Sequence, residues 1–204
     1  KKSPRCAKTE HSIDAQKPNV KQTRRITEYD IYPISGWQFY NQIDMKRVIF
    51  IGQAMPRFKR DPHDWPSLNA WLFSLGITLD QIRQYFLYSA LVDYFPGSRG
   101  GSHLIPTPAE IEKDRARLHK TLRDFHPQIV VPIGKLSISY CLNQSFKTLN
   151  ESVGKKFAVD PYLALGSKVG VIPLPHPSGA STWRHKQENK KLLTKALALL
   201  KKAI

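Results

Sequence analysis

The fold is decided by the stretch Val169-Gly170-Val171-Ile172-Pro173-Leu174-Pro175-His176-Pro177-Ser178-Gly179-Ala180-Ser181. A short apolar run, typical of a buried strand, leads into a loop in which two prolines flank a histidine. Proline on both sides of the histidine excludes a helix and stiffens the backbone. A rigid loop that presents one imidazole at a strand end favours recognition or catalysis, and a surface turn without function is the alternative.

Working outward, three more apolar runs predict buried strands at 47–52, 85–92 and 129–134, with 169–172 as the fourth. Helical patterns separate them, at 66–75, 80–84, 107–126, 136–142 and 182–203. Thr107-Pro108-Ala109-Glu110 is a capping box with proline at the first helical position. Pro132 lacks a ladder hydrogen bond, which predicts a kink or an edge position, and residues 143–168 are predicted to be irregular, with a small hairpin as the alternative.

Strands that alternate with helices predict an α/β fold, in which helices cover both faces of a mainly parallel sheet. Ligands bind such sheets outside the carboxyl ends of the strands. The loops after residues 52, 92, 134 and 172 are therefore expected to meet at one edge and to form the site.

The charge of the chain indicates its partner. The 204 residues fit one domain, and a hydrophobic fraction of 41% is sufficient for a core. Lysine and arginine number 32 against 16 acidic residues, a formal charge of +16. This excess favours nucleic acid as a partner over a charge that serves only solubility. Residues 1–28 are polar and basic and predict an arm before a single domain at 29–204.

Cysteine content and hydropathy suggest where the protein works. Cys6 and Cys141 offer no metal-ligand spacing, which favours an intracellular location, cytoplasmic or nucleoid. No apolar run reaches the roughly 20 residues that cross a bilayer. Neither GxxxxGK[ST] nor GxGxxG is present, which argues against a nucleotide-phosphate loop. We expect a monomer that needs no metal or cofactor and has no membrane partner.

Two of the loops resemble the signature motifs of the uracil-DNA glycosylase superfamily. They are Gly52-Gln53-Ala54-Met55-Pro56 after the first strand and His176-Pro177-Ser178-Gly179-Ala180-Ser181 after the fourth. Residues 94–99, 106–110 and 127–134 resemble a segment of the superfamily's iron–sulfur branches. The order and spacing of these motifs over residues 46–200 carry the resemblance. It implies a three-layer α/β/α sandwich with a short, mainly parallel, four-stranded sheet.

The resemblance also implies an activity, the hydrolysis of the N-glycosidic bond of uracil or a related deaminated base in DNA. The alternative is a catalytically inactive DNA- or nucleotide-binding protein on the same fold. In the family the motif histidine, here His176, donates a hydrogen bond to the uracil carbonyl as charge builds on the leaving base. The motif serine, here Ser178, contacts a phosphate, and the next residues wedge into the duplex: Gly179, Ala180 and Ser181.

The expected partner is DNA, double- or single-stranded. Flipping a base out of a duplex requires cations that bind phosphates and an aromatic face on which the base stacks. The cationic candidates for DNA binding are Arg57, Lys59, Arg60, Arg99, Arg184 and Lys186. The candidates to line the base pocket are Gln53, Ala54, Phe58, Trp65, Ser89 and Tyr94.

The chain departs from the family pattern at several positions. Many members hold the attacking water with Asp or Asn two residues after the motif glycine, where this chain has Ala54. Asp61 and Asp64, further along the loop, are the candidates that activate water, and a solvated or helix-capping role is the alternative. The base-reading Asn at the end of the second strand has no counterpart, and the wedge position holds the small Ala180. The cluster cysteines are absent, so no iron–sulfur cluster is expected.

Overall fold

Strand β1, Val48–Ala54, buries its first five residues and anchors the sheet from which the loops emerge. The structure, a computed structural model, describes residues 45–59, 64–100, 102–178 and 182–204. The predicted basic arm and its boundary at residue 28 lie outside these residues and stay predictions. No helix in the described ranges is both long enough and apolar enough to cross a membrane.

Five strands of the described chain form one sheet in the order β2-β1-β5-β7-β6. The other strands of this sheet are β2 Phe86–Val92, β5 Ile129–Pro132, β6 Phe157–Val159 and β7 Val169–Val171. Strands β2, β1, β5 and β7 run parallel, and β6 pairs antiparallel with β7. A separate short hairpin consists of β3, Ser98–Arg99, and β4, Ser102–His103. The mainly parallel sheet and all four predicted strands are confirmed.

Two details of the predicted sheet are corrected. The sheet has a fifth strand, β6, inside the stretch predicted as irregular. It is an edge strand of three residues without a buried position, and its apolar run of three residues is too short to predict a strand. Pro132 does not lie at an edge, because β5 runs between β1 and β7. It is instead the last residue of β5, where the missing N–H removes only the final ladder bond.

Helices cover both faces of the sheet and complete three layers, as predicted. The helices of the described residues are α1 Pro66–Ser74, α2 Leu79–Tyr85, α3 Pro108–Phe125, α4 Gly134–Leu142 and α5 Gln187–Ala203. One face of the sheet packs on α1, α2 and α5, with Leu72 and Leu200 fully buried in that layer. The other face packs on α3 and α4, where Leu122 and Cys141 are buried.

Local signals determine where two of these helices begin. Thr107 accepts a hydrogen bond from the backbone N–H of Glu110, and the Glu110 side chain accepts one from the backbone N–H of Thr107, so the predicted capping box begins α3. Helix α5 begins later than predicted, at Gln187. The residues before it, Thr182–His185, form a separate 3-10 helix, and Lys186 between them has an extended backbone that interrupts the helical run.

Candidate functional site

A cleft of about 650 Å³ lies at the carboxyl edge of the sheet. The loops after β1, β2 and β7 meet there, together with the start of α1 and the β3–β4 hairpin. The cleft is lined by these residues that the sequence predicted: Gln53, Ala54, Arg57, Phe58, Lys59, Trp65, His176 and Ser178. This is the edge at which parallel sheets bind ligands.

The fourth predicted loop, after β5, does not line the cleft but holds the start of the histidine loop by backbone hydrogen bonds. The backbone N–H of Leu174 donates to Pro132 O at 3.0 Å, and Gly134 N–H donates to Leu174 O at 2.9 Å. Gly134 has φ +81°, a conformation that a side chain would strain, so glycine is required there. These bonds extend the β5–β7 pairing beyond the strand ends and fix the start of the histidine loop.

His176 is held in one tautomer by its own loop. The backbone N–H of Ser178 donates to its Nδ1 at 3.2 Å. Because Nδ1 uses its lone pair in this bond, the neutral ring carries its proton on Nε2 and can donate from there. Burial lowers the pKa of His176 below its usual 6.5, and the nearby charges of His103 and Arg184 lower this pKa further. The ring is therefore a neutral hydrogen-bond donor at pH 7.

Trp65 forms the aromatic wall of the cleft. Its ring lies against Tyr88 with centroids 5.2 Å apart and against His176 at 5.8 Å. The ring is only partly buried, so part of it remains available to a planar ligand in the cleft. Its indole Nε1–H is itself buried and has no hydrogen-bond partner within the described part of the chain.

Tyr88 is a cleft residue that the sequence reasoning missed. It points from β2 into the space above Gly52, where a Cβ would lie 2.5 Å from the tyrosine Oη. Gly52 is therefore needed for close packing, not for its backbone conformation. Burial raises the pKa of Tyr88, so the hydroxyl keeps its proton. The available signal was weak: Tyr88 shares one face of β2 with Phe86 and Ala90, in a strand that is almost entirely apolar.

Arg184 lies beside the cleft in the 3-10 helix that precedes α5. Its guanidinium carbon is 5.7 Å from the centre of the Trp71 ring, and its buried Nε has no hydrogen-bond partner among the described residues. Its charge also contributes to the lowered pKa of His176, which places it near the imidazole. A half-buried guanidinium is a positive charge that suits an anionic group such as a phosphate, although its buried Nε has no surface from which to donate.

A closed ring of three hydrogen bonds fixes this 3-10 helix. Trp183 Nε1 donates to Asn150 Oδ1 at 2.7 Å, and Asn150 Nδ2 donates to Asn189 Oδ1 at 2.8 Å. Asn189, buried in the first turn of α5, donates back to Trp183 O at 2.7 Å. The three residues of this ring thus satisfy one another, and the segment that carries Arg184 is attached to the body of the domain.

Several predicted site residues lie away from the cleft lining. Ser89 is buried and accepts a hydrogen bond from Arg117 at 3.2 Å, and Tyr94 donates to Glu110 at the start of α3. That hydrogen bond is the main reason that the pKa of Tyr94 rises to about 12 and that of Glu110 falls to about 2. Three more are exposed residues outside the lining: Asp64, Arg99 and Lys186.

Five predicted site residues lie outside the described residues, and their roles stay predictions. They are Arg60, Asp61, Gly179, Ala180 and Ser181. Conversely, the cleft includes residues that the sequence reasoning did not propose: Met55, Pro56, Pro66, Ser67, Tyr88, Phe95, Pro96, Ser98, His103 and Leu104. Most of these lie beside predicted residues in the same loops, so loop position was the signal that could have found them.

A second cavity, of about 360 Å³, lies on the other side of the sheet between α3 and α4. Its charged side chains already bind one another: Arg115 donates to Glu112 at 3.3 Å, and its Nε lies 3.3 Å from His119 Nε2. Burial, with help from the Arg115 charge, lowers the pKa of His119. We assign no function to this cavity, because its charged groups are paired with each other.

Comparison with known proteins agrees with this geometry. The family model described as the uracil DNA glycosylase superfamily matches residues 39–201. The chain is also similar to the type-4 uracil-DNA glycosylase of Archaeoglobus fulgidus, with 26% identity over 140 residues. That match covers 64% of this chain and 65% of the relative, so the chain spans slightly less than two thirds of the relative's length. The family match includes β1, the histidine loop and nearly all of α5, and on this basis the chain belongs to the uracil DNA glycosylase superfamily.

Proposed function

We propose that this protein is a monofunctional DNA glycosylase that hydrolyses the N-glycosidic bond of uracil or a related deaminated base. The observation that supports this most directly is the fixed tautomer of His176, which leaves Nε2–H as a donor beside the Trp65 wall. The cleft volume, about 650 Å³, lies within the roughly 300–1,000 Å³ of small-ligand sites and accommodates one extruded nucleotide. An enzyme of this kind would act on DNA inside the cell.

The reaction requires a hydrogen-bond donor where His176 lies. As the C1′–N bond breaks, its electron pair passes to the base, and negative charge develops on a base carbonyl oxygen. A neutral imidazole N–H aimed at that oxygen stabilises the charge without giving up its proton, a contribution of about 2.7–4 kcal/mol. Water adds to C1′ and loses a proton, and the departing base gains one. The products are a free base and an abasic deoxyribose.

We assign the proton from water to Asp61 or Asp64, because Ala54 has no group that could accept it. Asp64 directly precedes Trp65 in the chain and is exposed. Comparing Asp61→Asn with Asp64→Asn separates the two candidates. The variant that lacks the water-activating carboxylate should show a lower excision rate at saturating enzyme and the same DNA affinity as the parent protein.

We assign binding of the DNA backbone to cations and hydrogen-bond donors in and around the cleft. Arg57 and Lys59 are exposed on the loop after β1, and the half-buried Arg184 adds a third cation. Ser178 lines the cleft beside His176 and is the proposed phosphate contact of the histidine loop. The formal charge of +16 supports this role, since phosphate contacts supply most of the non-specific affinity of a protein for DNA.

The decisive experiment measures abasic sites under single-turnover conditions. Duplex and single-stranded oligonucleotides carrying uracil, hypoxanthine or xanthine are incubated with the protein and then treated with alkali; cytosine and thymine at the same position are the controls. We expect strand breaks only after alkali, because a monofunctional enzyme leaves the abasic strand intact. If no base is excised while the DNA is still bound, the binding-only alternative replaces the enzyme.

A further inference from the structure

Two of the aromatic residues that line the cleft, Trp65 and Phe58, are placed differently. Trp65 packs on Tyr88 and His176 and forms part of the wall. Phe58, in contrast, is 85% exposed although it lines the same cleft. An exposed phenyl ring is not by itself unusual, but this one lines the cleft while remaining almost fully accessible to solvent.

The neighbours of Phe58 suit a DNA duplex. Arg57 and Lys59 flank it in the chain, and both are exposed. The Arg57 guanidinium carbon lies 5.4 Å from the centre of the Phe58 ring, an arrangement that keeps the cation beside the ring. A ring between two cations can enter the base stack while the cations bind the phosphates on either side of it.

The sequence gives a reason why this ring is needed. A nucleotide that leaves the duplex opens a gap in the stack, and proteins that bend or open DNA fill such gaps with apolar side chains. The residue that the resemblance places as the wedge is Ala180, whose methyl group is too small to fill the space of a base. Another side chain must then fill the gap, and Phe58 is the most exposed large apolar side chain among the described residues that line the cleft.

We propose that Phe58 inserts into the duplex and fills the gap left by the extruded nucleotide, stacking on the bases that remain and not on the base in the cleft. This inference rests on the proposed function, because it presumes that a nucleotide is extruded. The proposal assigns these two aromatic residues different partners. Trp65 contacts the extruded base, and Phe58 contacts the bases that remain in the duplex.

The test compares Phe58→Ala, Phe58→Leu and a matched control, Phe73→Ala. Phe73 is also an exposed phenylalanine, 50% accessible, but it lies on α1 outside the cleft lining. The substrate is a uracil oligonucleotide, single-stranded or duplex, with 2-aminopurine next to the uracil. We expect Phe58→Ala to lower the ratio of duplex to single-strand excision by about 10- to 100-fold, the loss of one stacking contact, and to abolish the 2-aminopurine fluorescence change.

Phe58→Leu should retain most of the duplex activity, because leucine still fills the gap, and Phe73→Ala should behave like the parent protein. Equal losses on both substrates would overturn the proposal, since they would place Phe58 on the extruded base. An unchanged duplex rate would overturn it as well. If the parent protein excises nothing, the fluorescence change on binding duplex DNA still decides the question: a signal lost in Phe58→Ala supports insertion, and the same signal in both proteins refutes it.

Discussion

The contact between Gly52 and Tyr88 leads to a quantitative prediction for Gly52→Ala. Gly52 lies in extended β1, so alanine fits its backbone, but the new Cβ would lie 2.5 Å from Tyr88 Oη. The hydroxyl must move by roughly an ångström to reach ordinary contact, and the buried ring that carries it is packed on Trp65. Overpacking of this kind costs about 1–3 kcal/mol, and the stiffer unfolded chain returns about 0.4–1 kcal/mol. We expect a net loss of about 1–2 kcal/mol.

A second substitution isolates the cause. Tyr88→Phe removes Oη, and the next atom, Cζ, is 3.4 Å from the added Cβ, which is ordinary van der Waals contact. The double variant Gly52→Ala/Tyr88→Phe should therefore be at least as stable as Tyr88→Phe alone. The coupling energy of the double-mutant cycle should be about 1–3 kcal/mol in favour of the pair.

Urea unfolding of the four proteins measures these differences, provided that the m-value stays constant across the cycle. Thermal unfolding offers a check, since about 1 kcal/mol lowers the Tm of a chain of this size by about 2–4 °C. A Gly52→Ala variant as stable as the parent protein would refute the reasoning. So would a coupling energy near zero, because the loss would then not come from the Tyr88 hydroxyl.

Three further predictions concern the cleft, the charge and the start of α3. His176→Ala should lower the single-turnover excision rate by about two orders of magnitude, because one donor to the developing charge is lost; an unchanged rate would remove His176 from the mechanism. DNA affinity, measured by fluorescence anisotropy, should fall steeply with added salt; flat binding between low and moderate salt would show that the positive charge is not a DNA footprint. Hydrogen bonds from Tyr94 and Thr107 lower the pKa of Glu110 from 4.5 to about 2, so its stabilising contribution is complete above pH 4.5 and is lost as the pH falls towards 2. Glu110→Gln should therefore flatten the dependence of unfolding free energy on pH in that window, whereas curves that stay parallel would contradict this assignment.

Local signals made most of the fold predictable. The apolar run of β1 and the capping box of α3 specify their elements within a few residues, so sequence and structure agree there. Strand β6 depends on pairing with β7, and its three residues form no pattern that stands out without that neighbour. The start of α5 was equally hard to predict, because a 3-10 helix precedes the α-helix and both segments are rich in basic residues.

The site was predictable as far as loop position determines it. His176 and Trp65 lie at strand and helix ends that converge on one edge, and the cleft contains both. Tyr94 follows β2 in the same way, but its hydroxyl is captured by Glu110, a partner that only the tertiary structure reveals. Tyr88 was missed for the opposite reason, because its place in the cleft depends on the absent side chain of Gly52 on the neighbouring strand.

The hydrogen-bonded ring of Trp183, Asn150 and Asn189 connects helix α5 to the segment beside the cleft. None of the described residues of α5 lines the cleft, yet its first turn holds in place the segment that carries Arg184. Fraying of that turn would release this arginine, a proposed contact to DNA, while the sheet stays folded. Trimming the chain back to the end of the histidine loop would therefore remove this proposed phosphate contact along with the helix.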